Sequence, residues 1–157
     1  MLVKSFNLKK YILSIALPLA VGGAAAFITA GKMDIYSTLN QPFLAPPAWL
    51  FPVVWTILYI LIGTAEYFAK QNPRYKNSNA RKWYLLQLGL NFLWPIVFFG
   101  FSAYKPAVLF IFLLWAAAVM TLWEFFKIDK TAAYLFIPYI LWISFAAYLN
   151  TAIAVIN

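Results

Sequence analysis

The chain contains no cysteine and no histidine. Disulfides, zinc sites built on thiolate or imidazole, and axial haem ligation through either residue are therefore excluded. So is any mechanism that shuttles protons through imidazole. Charge is scarce too: 10 % of residues are Asp, Glu, Lys or Arg, against roughly 25 % in a soluble domain. What fills the space is apolar, 65 % of the 157 residues, with a mean hydropathy of +0.80. A globule this small is mostly surface and cannot bury that much apolar area. Its solvent must be largely lipid, which makes it an integral membrane protein.

Five apolar stretches exceed the roughly 20 residues needed to cross a hydrocarbon core. They lie at about 11–31, 47–69, 83–104, 106–126 and 131–155. Continuous hydrophobicity favours helices over barrel strands, which would alternate polar and apolar residues. The expected fold is all-α, a single bundle of five transmembrane helices spanning 1–157. The first stretch follows Lys4, Lys9 and Lys10 as a signal peptide would, but its 21 apolar residues exceed a signal core of about 7–15. No internal repeat is evident, which disfavours an inverted-repeat transporter.

The net charge of +8 reads as topology rather than as affinity for nucleic acid. Lys4, Lys9, Lys10, Lys70, Arg74, Lys76, Arg81, Lys82, Lys127 and Lys130 fall on one side of the five spans, and Lys32 and Lys105 on the other. Cations collect in cytoplasmic loops. The N-terminus is expected in the cytoplasm and the C-terminus outside, in a multi-pass protein of a bacterial plasma membrane. The connection 32–46 is longer than a simple turn and rich in proline towards its end (Pro42, Pro46, then Pro47). Those prolines either start the next helix or stiffen a lid.

Polar residues within the spans fall into stripes. Trp83, Gln87, Asn91 and Trp94 share one face of the third span; Trp55, Tyr59 and Glu66 share one of the second; Trp142, Ala146 and Asn150 one of the fifth. Buried amides at membrane depth avoid lipid, so the stripes point inward. They serve either helix packing or a pocket for a flat, mostly apolar ligand. Trp49, Trp83 and Trp123 lie near span ends and fit an interfacial belt. Glu66 with Lys70, and Glu124 with Lys127, are spaced for ion pairs near helix ends, with no carboxylate deep in a span. Gly22-Gly23-Ala24-Ala25-Ala26 permits close helix approach, including that of a partner chain. Conventional acid–base or nucleophilic equipment is missing, so no catalytic residue is assigned, and any chemistry would come from the ligand.

Three blocks carry a family resemblance. One is Gln41-Pro42 with Pro46-Pro47-Ala48-Trp49 and Val54-Trp55-Thr56-Ile57-Leu58-Tyr59. The next is Gln87-Leu88-Gly89-Leu90-Asn91-Phe92-Leu93-Trp94-Pro95 with Phe98-Phe99-Gly100. The last is Pro138-Tyr139-Ile140-Leu141-Trp142 through Ala146 to Leu149-Asn150. In this order they resemble the TspO/MBR family of tryptophan-rich sensory proteins and translocator proteins (peripheral-type benzodiazepine receptors). The resemblance implies a five-helix homodimer that binds protoporphyrin IX and benzodiazepine-site ligands under its first loop. It implies a pocket made by Tyr36, Pro46, Trp55, Tyr59, Asn91, Trp94, Trp142 and Ala146. It also implies light-dependent porphyrin degradation, with Trp55 and Trp142 as candidate participants, or alternatively transport of porphyrins or other lipophilic ligands. No cofactor or metal is expected, and without His or Cys a metal-free porphyrin suits the chain better than a ligated haem. The Lys or Arg that completes the family's sterol motif is missing after Lys130.

Overall fold

The computed structural model describes residues 6–32 and 34–157; Lys4, counted above among the cations, lies outside them. Among the described residues there is no strand. Five helices are long and apolar enough to span a membrane. Helix α1 is Leu8–Ile28, α2 is a single turn at Ile35–Thr38, and α3 is Leu50–Gln71. Helix α4 covers Ala80–Pro95 and continues as a π-turn over Ile96–Gly100; α5 is Tyr104–Ile128 and α6 is Lys130–Ile156.

Helices α1 and α6 begin where a side chain caps the first turn, and α1 does so among charged residues. The Asn7 side chain accepts from Lys10 N at 3.0 Å, so α1 starts three residues before the expected span and takes in Lys9 and Lys10. Arg81 and Lys82 likewise lie in the first turn of α4. Long basic side chains can bury their stems and lift their heads to the interface, so a helix tolerates them in its terminal turns. One residue joins α5 to α6: Asp129 ends the former and caps the latter, accepting from Ala132 N at 2.9 Å. Pro46 and Pro47 both precede α3, which starts at Leu50; they belong to the loop.

The helix backbones approach one another in the cyclic order α1, α3, α6, α5, α4 and back to α1. The α1–α3 seam depends on Gly63. A Cβ at that position would lie 2.6 Å from Ile15 Cα and 2.7 Å from Ser14 O, both backbone atoms that cannot rotate away. Tyr11 and Thr64 join hydroxyls across the same seam at 3.2 Å, and Asn7 N donates to Tyr67 Oη at 2.9 Å. At the seam's other end the edge of Tyr59 lies where a Gly22 side chain would be. Trp49 and Trp123 are 66 % and 61 % exposed near helix ends, as interfacial anchors would be, whereas Trp83 is half-buried.

Gly63→Ala is expected to lower the detergent-solubilised melting temperature by several degrees, consistent with an overpacking cost of about 1–3 kcal/mol. Gly23→Ala, whose Cβ would meet nothing within 4 Å, is expected to leave it unchanged or raise it slightly. Equal melting of the two variants would contradict the close α1–α3 contact.

Candidate functional site

Phe51, Trp55 and Tyr59 are four residues apart on α3 and form one aromatic face. Trp55 stacks on Tyr59 with centroids 5.6 Å apart and meets Trp94 of α4 at 6.4 Å and Tyr139 of α6 at 6.3 Å. Phe51 touches Tyr36 of the loop at 5.1 Å and Trp142 of α6 at 6.1 Å. These rings surround two small voids rather than one chamber. The larger, about 100 Å³, is bounded by Gly22, Ala25 and Ala26 of α1, by Thr29 at its C-terminal cap, and by Trp55, Tyr59, Asn91 and Trp94. The smaller, about 20 Å³, touches Tyr36, Ala146 and Asn150. Phe51, Trp94 and Phe99 line both and form the wall between them.

Six of the eight residues expected in a pocket thus border one void or the other. Pro46 and Trp142 border neither. The Pro46 carbonyl accepts from the Tyr36 hydroxyl at 3.2 Å. Burial pushes the Tyr36 phenol above its ordinary pKa, so it stays protonated and keeps donating. Trp142 packs on Phe51 with its Nε1 buried and, among the described residues, without an acceptor. A larger concavity, about 720 Å³, lies elsewhere: an open groove between α5 and α6 bordered by Phe112, Trp115 and Tyr148, with none of the expected site residues.

A hydrogen-bonded chain crosses the bundle beneath the rings. Tyr59 Oη donates to Asn91 Oδ1 at 2.7 Å, and Asn91 Nδ2 donates to Tyr139 Oη at 2.9 Å. Tyr139 Oη then donates to Gln87 Oε1 at 2.7 Å. Nearer the loop, Trp94 Nε1 donates to Asn150 Oδ1 at 2.8 Å, and Asn150 Nδ2 to Tyr104 O at 3.0 Å. The inward amide stripe therefore forms, and its amides pair with phenols and an indole from other helices. Pro95 follows Asn91 by one turn and has no N–H to give back to the Asn91 carbonyl. The π-turn begins directly after it, closed by Phe101 N donating to Ile96 O at 3.0 Å.

The loop 32–46 is tied down at several points. Asn40 and Asn157 exchange two hydrogen bonds, at 3.0 and 3.1 Å. Tyr148 Oη donates to Phe43 O at 2.7 Å, Gln41 Nε2 to Tyr36 O at 2.9 Å, and Lys32 Nζ to Gly100 O at 2.8 Å. Leu44 takes a left-handed conformation, φ 70°, between Pro42 and Pro46.

Sequence reasoning missed two contributors. Gly22, Ala25, Ala26 and Thr29 share a helical face, and that spacing was the available signal for a cavity wall. Tyr139 lies three residues before Trp142 on the inward face of α6 and is fully buried. Glu66 forms its expected ion pair and is buried besides. Its pair with Lys70 forms at 2.9 Å, but the carboxylate is 2 % exposed, covered by Tyr75, whose hydroxyl donates to it at 3.2 Å. Burial first, and the Glu66 charge next, push the Tyr75 phenol well above its usual pKa, so it remains a donor. Glu124 pairs with Lys127 as expected.

Asn91→Leu is expected to destabilise the protein by about 1–3 kcal/mol, because it strands the Tyr59 hydroxyl, whereas Tyr139 keeps its bond to Gln87. Adding Tyr59→Phe removes the stranded group and should recover part of that loss in a double-mutant cycle of thermal stability. Strict additivity would argue against the chain.

The chain matches the family model described as the TspO/MBR family over residues 14–156. It is similar to a tryptophan-rich protein TspO of Archaeoglobus fulgidus, 40 % identical over 96 % of this chain and 99 % of the relative. It is also similar to a tryptophan-rich sensory protein of Cereibacter sphaeroides, 37 % identical over 84 % of each chain. A translocator protein of Homo sapiens is 30 % identical over 79 % of this chain and 75 % of its own. With a match across the bundle and relatives of this similarity, the chain belongs to the TspO/MBR family and is an integral membrane protein of five helices.

Proposed function

We propose that this protein binds a flat, lipophilic tetrapyrrole, protoporphyrin IX or a close analogue, in the aromatic cage under its first loop, and that it serves as a sensor of that ligand. The observation that carries the proposal is the convergence of Trp55, Tyr59 and Trp94 with the Asn91 amide around one internal void. Stacked rings offer polarisable faces to a flat ring system, and an amide fixes its orientation. The unpaired Nε1 of Trp142, close beneath the loop beside Phe51, adds a donor for a carbonyl or carboxylate. Benzodiazepine-site ligands have the same flat, apolar character and fall within the proposal.

A void of about 100 Å³ is well below the roughly 300–1,000 Å³ of ligand-binding clefts. Entry therefore requires the wall of Phe51, Trp94 and Phe99 to move so that the two voids merge, with the loop 32–46 released as a lid. The indoles of Trp55 and Trp142 would then flank the bound ring, where an excited porphyrin could oxidise them or be degraded beside them. The uncovered outer face of α1, where Gly23 meets nothing, leaves room for a second copy in a homodimer. The concentration of Lys and Arg at the end where α1 starts supports a cytoplasmic N-terminus.

Protoporphyrin IX is expected to quench tryptophan fluorescence saturably. Trp55→Phe should weaken binding about 2–10-fold, the worth of one aromatic pair. Unchanged saturable quenching in Trp55→Phe plus Trp142→Phe would overturn the cage as the site. Under illumination, porphyrin should decay faster with this protein than with an unrelated membrane protein. In reconstituted vesicles, flux of bound ligand to the far side would indicate transport instead of sensing.

A further inference from the structure

A separate cavity, of about 350 Å³, lies between the start of α1 and the end of α3, lined by Lys10, Leu13, Ser14, Tyr67, Lys70 and Gln71. It is far from the aromatic cage. The cage lies in the early part of α3, from Phe51 to Tyr59, and this cavity at its last turn, so most of the membrane thickness separates them at about 1.5 Å of rise per residue.

Two of the lining residues are cationic and none is acidic. Lys10 and Lys70 reach the cavity from two antiparallel helices, and like charges converging on one void repel unless an anion lies between them. Lys70 is paired with Glu66 Oε1 at 2.9 Å. Lys10 has no carboxylate partner among the described residues. Tyr67 Oη accepts from Asn7 N at 2.9 Å, which leaves its own proton uncommitted. Ser14 and Gln71 also line the opening. Leu13, 62 % exposed, forms an apolar wall on the outer surface of α1. The cavity also lies at the end of the bundle where Lys and Arg are concentrated, the natural level of phosphate in a bilayer.

We propose that this cavity binds the phosphate-bearing headgroup of an anionic phospholipid, whose acyl chains then lie along Leu13 and the outer face of α1. The ammonium of Lys10 and the hydroxyl of Tyr67 hold the phosphate. Lys70 shares its charge between the lipid and Glu66, and so ties occupancy of the surface site to the buried carboxylate that Tyr75 covers. An anionic lipid thereby cross-links α1 to α3 at the membrane end where their contact rests on the Tyr11, Thr64 and Tyr67 hydroxyls.

Native mass spectrometry of the protein released from nanodiscs of phosphatidylglycerol and phosphatidylcholine in equal parts tests this. Wild type should retain phosphatidylglycerol in preference to phosphatidylcholine. Lys10→Gln should reduce that retention about fivefold, the effect of one lysine near a membrane surface. Lys130→Gln, an exposed lysine at the start of α6, should retain the lipid as wild type does. Equal loss in both variants would mean diffuse attraction and overturn the site, as would the absence of any lipid preference. Displacement of the lipid by soluble glycerol phosphate at matched concentration would make free phosphate the occupant and overturn the assignment to lipid. Lys10→Gln should leave quenching by protoporphyrin IX unchanged, so the lipid site and the aromatic cage can fail independently.

Discussion

The arrangement of this bundle depends on a row of hydrogen bonds that no lipid could replace. Tyr59, Asn91, Tyr139 and Gln87 pass donors to acceptors across α3, α4 and α6 at the level of the aromatic cage. In water such groups would have solvent as an alternative partner. Within a bilayer each unpaired group costs several kcal/mol, so the partners must come from the protein. Helix packing in lipid lacks the hydrophobic drive that assembles soluble cores. The amide–phenol chain therefore sets the rotation of α3, α4 and α6, and that rotation turns Trp55, Trp94 and Trp142 inward. The aromatic cage follows from satisfying those polar groups.

The same logic explains how much of the structure is legible in the sequence. Five spans and an inward stripe on α4 were visible because the apolar runs are long and because Gln87, Asn91 and Trp94 repeat with the helical period. Which groups those amides would meet was not visible: Tyr139 and Tyr59 come from helices whose rotation is set only by tertiary contact. Gly22 was misleading in a different way. A glycine in an apolar helix reads as a place for backbone approach, which Gly63 is, but at Gly22 the neighbour is the Tyr59 ring and the gap beside it is cavity. Glu66 lies near a helix end by count, yet the 3₁₀ turn at Pro73–Asn77 folds Tyr75 over it and seals it from water. Burial of that kind is a property of the turn's path, not of Glu66's neighbours in sequence.

The two internal voids share their wall, and this shapes how the interior can respond to a guest. Phe51 and Phe99 are single rings on α3 and on the π-turn, and neither belongs to the hydrogen-bonded chain. Trp94 does make such a bond, to Asn150. Rotating the phenylalanines enlarges the space at the cost of packing alone, whereas moving Trp94 also breaks a buried bond. The interior is thus soft on the side of Phe51 and Phe99 and stiff on the side of the amides. The π-turn, whose hydrogen bonding already departs from the α-helical pattern after Pro95, places Phe99 on a segment with a less regular ladder than the helix before it.

The tethers of the loop 32–46 have a quantitative consequence. Asn40, Phe43 and Lys32 are joined to Asn157, Tyr148 and Gly100 through bonds at exposed positions. Bonds of this kind contribute about 0.5–1.5 kcal/mol each, so releasing several costs a few kcal/mol and leaves the released form a minor fraction of the population. A guest that binds only to that form has an apparent dissociation constant equal to its intrinsic value divided by that fraction. Weak apparent affinity would then report the rarity of the receptive state rather than poor complementarity. Substitutions at Asn157 or Tyr148, outside the cage, would tune it by about 2–10-fold for each tether lost.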